Sequence, residues 1–377
     1  MLEEQRKKID TIDDQLVRLF EERLSVADEV AKIKKENDLP VANTEREREI
    51  VNRLTEGQTD RMAGYTKILF NTIFDLSRSR QASQIGFASE TEAKIRRALQ
   101  ETPQLFPKSA SVACQGVEGA NSITACEKLF ERPSITYFST FDSVFNAVDK
   151  NLCKYGILPI ENSLHGSVSD IYGLMNKYKF FVVRSVKLKI NHVLLAKPGV
   201  KLSDIRKIYS HEQALAQCSG FLKDMNVEIV PCENTAAAAK MIAESDMKDA
   251  ASISDVRCAE LYNLDVLREG IQNNENNYTR FICISKDLEI YPGANLISLM
   301  MTLPHKPGSL YQLIAKFAAL GINLTKLESR PMPDKDFEFM FYFEFDISVY
   351  DEAVFNLFSQ LEGGRERFVF MGCYTEQ

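Results

Sequence analysis

The sequence predicts a multidomain chain in three blocks: all-α helices, then α/β lobes with largely parallel sheets, then an α+β unit. Three observations predict it. Apolar residues recur at helical spacing near the start, short apolar runs alternate with helical segments from Ser111, and the last part reads strand, helix, strand, strand, helix, strand. A length of 377 residues with 45% apolar content accommodates two or three domains with a core each. The blocks span 1–90, 110–285 and 294–377.

In the first helix, Ile9, Ile12, Leu16, Leu19, Ala27 and Val30 form an apolar stripe, and Arg23 and Lys34 lie on it. A charge on a core face is costly enough to imply a partner, either a carboxylate of the chain or an anionic ligand. The step from Arg23 to Lys34 leaves only about 20° of rotation and a rise of roughly 16 Å, so two long side chains can converge on one small molecule. Arg6 lies roughly 25 Å from Arg23 along the axis, and only an antiparallel second copy would bring it to the same place, which points to a dimer with two anion sites. Glu21, Glu22 and Asp28 offer the alternative of a salt-bridged helical face. Pro40 ends this helix after Leu39, and Asn43 and Thr44 start a second one that carries Arg46 and Glu47. A third helix, from about Arg61 to Gln81, sets Ser77 and Gln81 one turn apart beside Ile73, Phe74 and Leu76.

In their order and spacing, Arg6, Arg23, Lys34, Arg46, Glu47, Ser77 and Gln81 make this block resemble the all-helical chorismate mutase family. The resemblance implies that these residues bind the two carboxylates of chorismate, that Lys34 and Gln81 face the breaking ether bond, that Glu47 faces the ring hydroxyl, and that Arg6 comes from a second subunit. Asn43 stands where relatives often have Asp. A pericyclic rearrangement gives a nucleophile nothing to do, so catalysis must come from holding a compact conformer and stabilising developing charge.

Polar residues from Ala82 to Ser109, with Pro103 and Pro107, read as a linker. In the second block the runs Ser111 to Gln115, Ile135 to Phe138, Tyr155 to Ile160, Val227 to Val230 and Ala250 to Ile253 read as strands, and ligands of such sheets sit at strand carboxyl ends. There the chain places Glu161, Asn162, Ser163, His165 and Gly166 after YGILPI, the glycine loop Gly116 to Ser122, and Ser210 to Gln213 after IRKIYS. Thr235 begins TAAAAKMIAES, and Thr279 and Arg280 stand at a strand start. Helix capping accounts for several of these equally well, and Arg280 also reads as an ion-pair residue. Taken together, PIENSLHGSV, SHEQALAQC, NTAAAA and NYTRF make residues 110 to 285 resemble prephenate dehydratase. That resemblance implies two periplasmic-binding-protein-like lobes with substrate between them, with Thr279 assisting loss of the ring hydroxyl. Glu161, Asn162, Ser163, Gly166, Ser210, Thr235 and Arg280 would shape and charge the cleft. The loop GVEGANS departs from the Pro and aromatic of many relatives.

The third block, Ala294 to Leu303, Ser309 to Leu320, Asn323 to Pro331, Glu338 to Ser348, Glu352 to Leu361 and Arg367 to Tyr374, has the order βαββαβ of a ferredoxin-like fold. The loop Pro307 to Leu310 opens a helix whose free N–H groups suit a carboxylate, or is simply a turn. With Gly321 to Leu324 and Glu328, Ser329, Arg330, Pro331, the segment resembles the amino-acid-binding ACT domain attached to this dehydratase. The resemblance implies phenylalanine as effector, bound between subunits by Gly308, Ser309, Leu310, Asn323, Leu324, Glu328, Ser329 and Arg330.

Net charge of −7 and a pI near 5.4 give no global basic field for nucleic acid or membrane phosphate. MLEEQRKKID is too charged for a secretory core, and no apolar run approaches the roughly 20 residues of a membrane span, so a cytoplasmic location is expected. The eight cysteines lack C-x-x-C spacing and the histidines at 165, 192, 211 and 305 are scattered, so no metal or redox cofactor is expected. The reading is a homodimer or higher homo-oligomer converting chorismate to prephenate and prephenate to phenylpyruvate, with inhibition by phenylalanine. Two alternatives stay open: an arogenate-preferring dehydratase, and a non-catalytic amino-acid sensor.

Overall fold

The computed structural model describes residues 1–37, 39, 41, 43–85, 89–331, 339–362 and 367–377. The expected stop at Pro40 lies outside them. Helices α1 (Leu2–Glu36), α2 (Thr44–Thr55) and α3 (Asp60–Ile85) form the first block, with α1 and α2 both packed on α3. Asn43 starts α2 as its sequence suggests, its side chain accepting the Arg46 N–H at 3.0 Å.

The apolar stripe of α1 divides. Ala27 and Ala31 are buried, whereas Ile9, Ile12, Leu16 and Leu19 are more than half exposed and Val30 is 37% exposed. The N-terminal half of α3 is exposed likewise at Met62, Tyr65, Ile68 and Leu69, so the two helices bury each other only toward Ala27, Ala31 and Phe74. The stretch read as a linker is also partly helix, since α3 runs to Ile85 and α4 (Glu90–Glu101) follows, with Ile95 and Ala98 buried. The segment ETEAKIRRALQE is rich in strong helix formers and spaces those two apolar residues on one face.

The second block continues with β1 (Ser111–Gln115), α5 (Asn121–Leu129), β2 (Ser134–Phe138), α6 (Phe141–Asp149), β3 (Tyr155–Asn162), β4 (Gly166–Ser167), α7 (Ser169–Tyr178) and β5 (Phe181–Lys189). The chain then crosses to a second lobe of β6 (Val193–Ala196), β7 (Lys207–His211), α8 (Glu212–Gln217), α9 (Ser219–Lys223), β8 (Glu228–Cys232), α10 (Thr235–Glu244), β9 (Ala250–Ser254), α11 (Arg257–Tyr262) and β10 (Asp265–Arg268). It returns to the first lobe as β11 (Tyr278–Ser285). The strand orders are β2-β1-β3-β11-β5 and β10-β6-β9-β7-β8.

These sheets are mixed rather than largely parallel. Strand β1 is parallel to β2 and β3, and β7 to β8 and β9, but β11 and β6 run antiparallel to their neighbours. Each antiparallel strand is one on which the chain enters a lobe from the other, so it starts at the opposite end of the sheet from strands reached by a local helical crossover. The first lobe closes over Val112, Ile157, Val186, Phe281 and their neighbours; apolar clusters centred on Leu194, Ile208 and Ile253, and on Leu195, Ala239 and Ile242, fill the second.

In the third block β12 (Leu296–Thr302), α12 (Ser309–Ala319), β13 (Leu324–Pro331), β14 (Phe339–Asp346), α13 (Glu352–Glu362) and β15 (Arg367–Tyr374) form a sheet of order β13-β14-β12-β15, the ferredoxin-like arrangement expected. Glu338, expected to begin the third strand, lies outside the described residues. Phe317 meets Phe343 and Phe345 edge-on in its core, and those two rings lie parallel. Helices α12 and α13 pack on α3, and the Glu362 carboxylate accepts the Glu90 and Thr91 N–H groups at 2.9 Å, capping α4.

The chain divides into two compact units, Met1–Arg97 with Asn295–Phe370, and Ala98–Ala294 with Met371–Gln377. Residues Met371–Gln377 group with the second of these units, although Met371–Tyr374 are also the end of β15 in the third block's sheet. At Gly372, where φ is +134°, a Cβ would collide with the Val182 carbonyl, so backbone lies directly on backbone there. Among the described residues no helix is long and apolar enough to cross a membrane.

Candidate functional site

The helical site grows from three helices. Lys34 of α1 donates to Gln81 Oε1 of α3 at 3.1 Å and to the Val41 carbonyl at 2.5 Å. Arg23 donates to the Ser77 hydroxyl and lies over the Phe74 ring, 5.5 Å from its centroid. Ser77 and Gln81 are buried, and burial pushes the pKa values of Arg23 and Lys34 down while the Glu47 carboxylate pulls both back up. Two half-buried cations hydrogen-bonded to neutral side chains are what an anionic guest would stabilise. Asp28, a candidate internal partner, is held by Arg80 at 2.7 Å, and Glu21 and Glu22 are exposed.

Arg78 was missed. It is paired with both Glu47 and Asp75, so Glu47 enters the site already neutralised and its orientation is set by α3. Nothing in the α3 periodicity distinguished Arg78 from any surface arginine. Arg46 pairs with Glu49 at 2.9 Å on the exposed side of α2, Asn43 acts as the cap, and Arg6 pairs with Glu3 at 3.0 Å at the far end of α1. Within one chain, therefore, Arg23, Lys34, Glu47, Ser77 and Gln81 come together and Arg6 does not.

The second site lies where β3 and β11 run side by side, with Asn162 opposite Thr279 and Glu161 opposite Arg280. Asn162 is the centre of it. Its amide N–H groups donate to Thr279 Oγ1 and Asn277 Oδ1, each at 2.9 Å, and its carbonyl accepts the Leu164 and His165 N–H groups at 3.0 and 3.1 Å. Gly166 pairs back with Asn162 through β4. The Ser163 hydroxyl donates to the Asn276 carbonyl at 2.8 Å and accepts the Tyr278 N–H at 2.9 Å, while the Ser210 hydroxyl donates to the Ile253 carbonyl at 2.6 Å. Both serines, expected to line the cleft, thus tie backbone segments together. Thr235 opens α10, but the cap is Asn234.

From Asn277 a buried network passes to the other lobe. Asn277 Nδ2 donates to Gln217 Oε1 at 2.9 Å, His192 Nε2 lies 2.7 Å from the same oxygen, and Gln217 Nε2 lies 3.1 Å from His165 Nδ1. Because Gln217 Oε1 can only accept, His192 carries its proton on Nε2. Burial holds the His192 pKa below its usual value, so it stays neutral. His192 and Asn277 sit on the two chain crossings between lobes, so this network joins both crossings to Thr279. Sequence reading gave His192, Gln217 and Asn277 no role of their own, although the last two lie within SHEQALAQC and NYTRF; their buried amide and imidazole groups become a unit only when three distant segments meet.

Arg280 departs from expectation. Its side chain is 8% exposed and its Nε lies 2.5 Å from Glu376, so the charge assigned to the cleft is balanced inside the protein. Seven of the eight cysteines are buried free thiols, Cys218 pushed up to about 12 by burial, which suits packing rather than reactivity. In the third block, Gly308 starts α12 with φ +86°, and β13 is an edge strand on which Glu328 pairs with Arg330 at 2.8 Å. The expected effector residues therefore occupy a helix N-terminus and a sheet edge.

The family model described as prephenate dehydratase matches residues 112–289, and that described as chorismate mutase type II matches residues 5–82. An Arabidopsis thaliana protein named arogenate dehydratase/prephenate dehydratase 2 is 38% identical over 275 residues, 70% of this chain and 72% of its own. An Aquifex aeolicus protein named bifunctional chorismate mutase/prephenate dehydratase is 29% identical over 100% of this chain and 98% of its own. Among solved structures, prephenate dehydratase from Arthrobacter aurescens in complex with L-Phe is similar at a TM-score of 0.64 and 28% identity, over 70% of this chain and 90% of that one.

Proposed function

The chain belongs to the prephenate dehydratase family and carries a type II chorismate mutase domain on the same polypeptide, an isomerase joined to a lyase, and from that membership we propose how its residues divide the work. Lys34 and Gln81 face the ether oxygen of chorismate, Arg23 and Ser77 hold a carboxylate, Glu47 takes the ring hydroxyl, and Arg6 arrives from a second subunit. The exposed apolar length of α1 supports that pairing, because burying four large aliphatic side chains against a second copy is worth several times about 1.5 kcal/mol.

In the dehydratase step the carbon–carboxylate bond breaks, its electron pair enters the ring, and the ring hydroxyl leaves as water after taking a proton. Carbon dioxide departs neutral. The observation that carries the assignment of Thr279 is its bond to Asn162: with the amide donating to Oγ1, the hydroxyl proton is not used by Asn162 and is free to serve a leaving group. A threonine hydroxyl is a weak acid, so Thr279 orients the proton and Glu161 or a water supplies it. Phenylalanine binds between ACT-like domains at Gly308 to Leu310 and Asn323 to Arg330 and lowers turnover; the location is cytoplasmic. Ultraviolet absorbance with chorismate as the only substrate tests the whole: chorismate must disappear and phenylpyruvate appear. Turnover of arogenate faster than prephenate by the same preparation would move the chain to the alternative suggested by the plant relative.

A further inference from the structure

The Glu47 carboxylate reaches the helical site from α2, and among the described residues its hydrogen-bond partner is Arg78 of α3. Arg78 Nη1 donates to Glu47 Oε1, while Nη2 donates to Asp75 Oδ1, one turn back on the same helix. A guanidinium is a planar fork, so a carboxylate on each terminal nitrogen fixes its direction and, with it, the place of Glu47. Burial pulls the Arg78 pKa down, but the two carboxylates more than offset it. Glu47 also acts on the other cations of the site. Burial lowers the pKa values of Lys34 and Arg23 and the Glu47 charge raises both, while Arg78 lowers that of Lys34. Three cations thus share one carboxylate electrostatically, and among the described residues only Arg78 bonds it.

We propose that Arg78 is a positioning residue of the mutase: it holds the Glu47 carboxylate away from Lys34 and Arg23, so that those two cations stay available to an anionic substrate. The reason is competition. A half-buried cation is stabilised by whichever anion reaches it, and a carboxylate on a neighbouring helix is always present, whereas a substrate must be captured from solution. Without Arg78, Glu47 loses the bond that holds it and turns to the cations whose charge it already feels, taking the place of a substrate carboxylate. Held by Arg78 through Oε1, it keeps Oε2 to accept a hydrogen bond from the ring hydroxyl. Asp75 completes the device, because it anchors Arg78 from α3 independently of Glu47.

The inference rests on the mutase reading, which turnover of chorismate by the unaltered protein tests alone. The decisive measurement is a double-mutant cycle on the full-length protein, with Arg78→Gln made in the original and in a Glu47→Gln background and chorismate turnover followed in steady state. In the original background Arg78→Gln should raise KM by about tenfold and lower kcat by about threefold, because a carboxylate of the chain now occupies the cations. In the Glu47→Gln background the same substitution should change KM by less than about twofold, since no carboxylate is left to compete. Arg78→Lys, which keeps a charge to hold Glu47, should recover most of the KM in the original background. An unchanged KM in Arg78→Gln overturns the proposal and leaves the mutase assignment standing. So does a KM increase of equal size in both backgrounds, the mark of a residue that only packs α3 against α2.

Discussion

The two candidate sites on this chain treat positive charge in opposite ways. In the helical site Arg23 and Lys34 are half-buried against neutral Ser77 and Gln81, and desolvation lowers the pKa of both. In the α/β site Arg280 is buried with Glu376, and Thr279 is bonded by the Asn162 amide, itself linked through Asn277 to Gln217. The contrast follows from the chemistry. A rearrangement that moves no group off the molecule gains from charge held rigidly near a lengthening bond, whereas a step that expels a carboxylate is slowed by any cation that will not let go.

The strongest way to break this contrast is to remove charge where it is held. Lys34→Met should lower chorismate turnover by about a thousandfold, the scale of losing a preorganised donor at developing charge, while prephenate turnover by the same protein stays at its original rate. A coupled assay supplied with each substrate in turn reads both. A mutase rate within tenfold of the original would mean that Lys34 only packs the helices. The same residue predicts a pH effect: since burial depresses the Lys34 pKa and the donor must be protonated, mutase activity should fall as pH rises through that lowered value, and earlier than for an ordinary lysine.

Thr279→Ala should act next most strongly, lowering prephenate turnover by about a hundredfold with mutase activity intact, and Thr279→Ser should restore part of the loss because the hydroxyl, not the methyl group, bonds Asn162. Equal rates for the Ala and Ser variants would remove Thr279 from the proton path and leave the amides as mere scaffolding.

What could be read from sequence in each site depends on how local the signal is. Arg23 and Lys34 stand out because a helix repeats every 3.6 residues and a cation breaks that pattern visibly. Their neutral partners were found the same way, one turn apart on α3. The network across the lobe crossings could not be, since His192, Gln217 and Asn277 lie on three separate segments, and nothing local in any of them names the other two. Arg78 hid for a simpler reason: it follows Ser77 on the helix, and its importance appears only when α2 brings Glu47 to it. Fold errors share this origin. Ile9, Ile12, Leu16 and Leu19 carry the right period for a core, but period alone does not tell whether an element covers the face, and nothing local in Thr375 and Gln377 announces that they bond to the edge of β5.

The smallest expected effect tests whether the third block speaks to either site. Gly308 holds φ at +86° as the first residue before α12, and its missing Cβ would meet nothing within 4 Å, so Gly308→Val has room but strains the backbone by roughly 1–2 kcal/mol. Strain there reorients the first N–H groups of α12, the groups suited to receive an amino-acid carboxylate. Half-inhibition by phenylalanine should then need about tenfold more ligand, when each rate is expressed relative to the variant's own uninhibited rate. Because α12 packs on α3, which carries Ser77 and Gln81, the mutase rate should be followed in the same titration. A shift in both activities would join the effector to each site through one equilibrium, and an unshifted titration would place phenylalanine elsewhere than the α12 N-terminus.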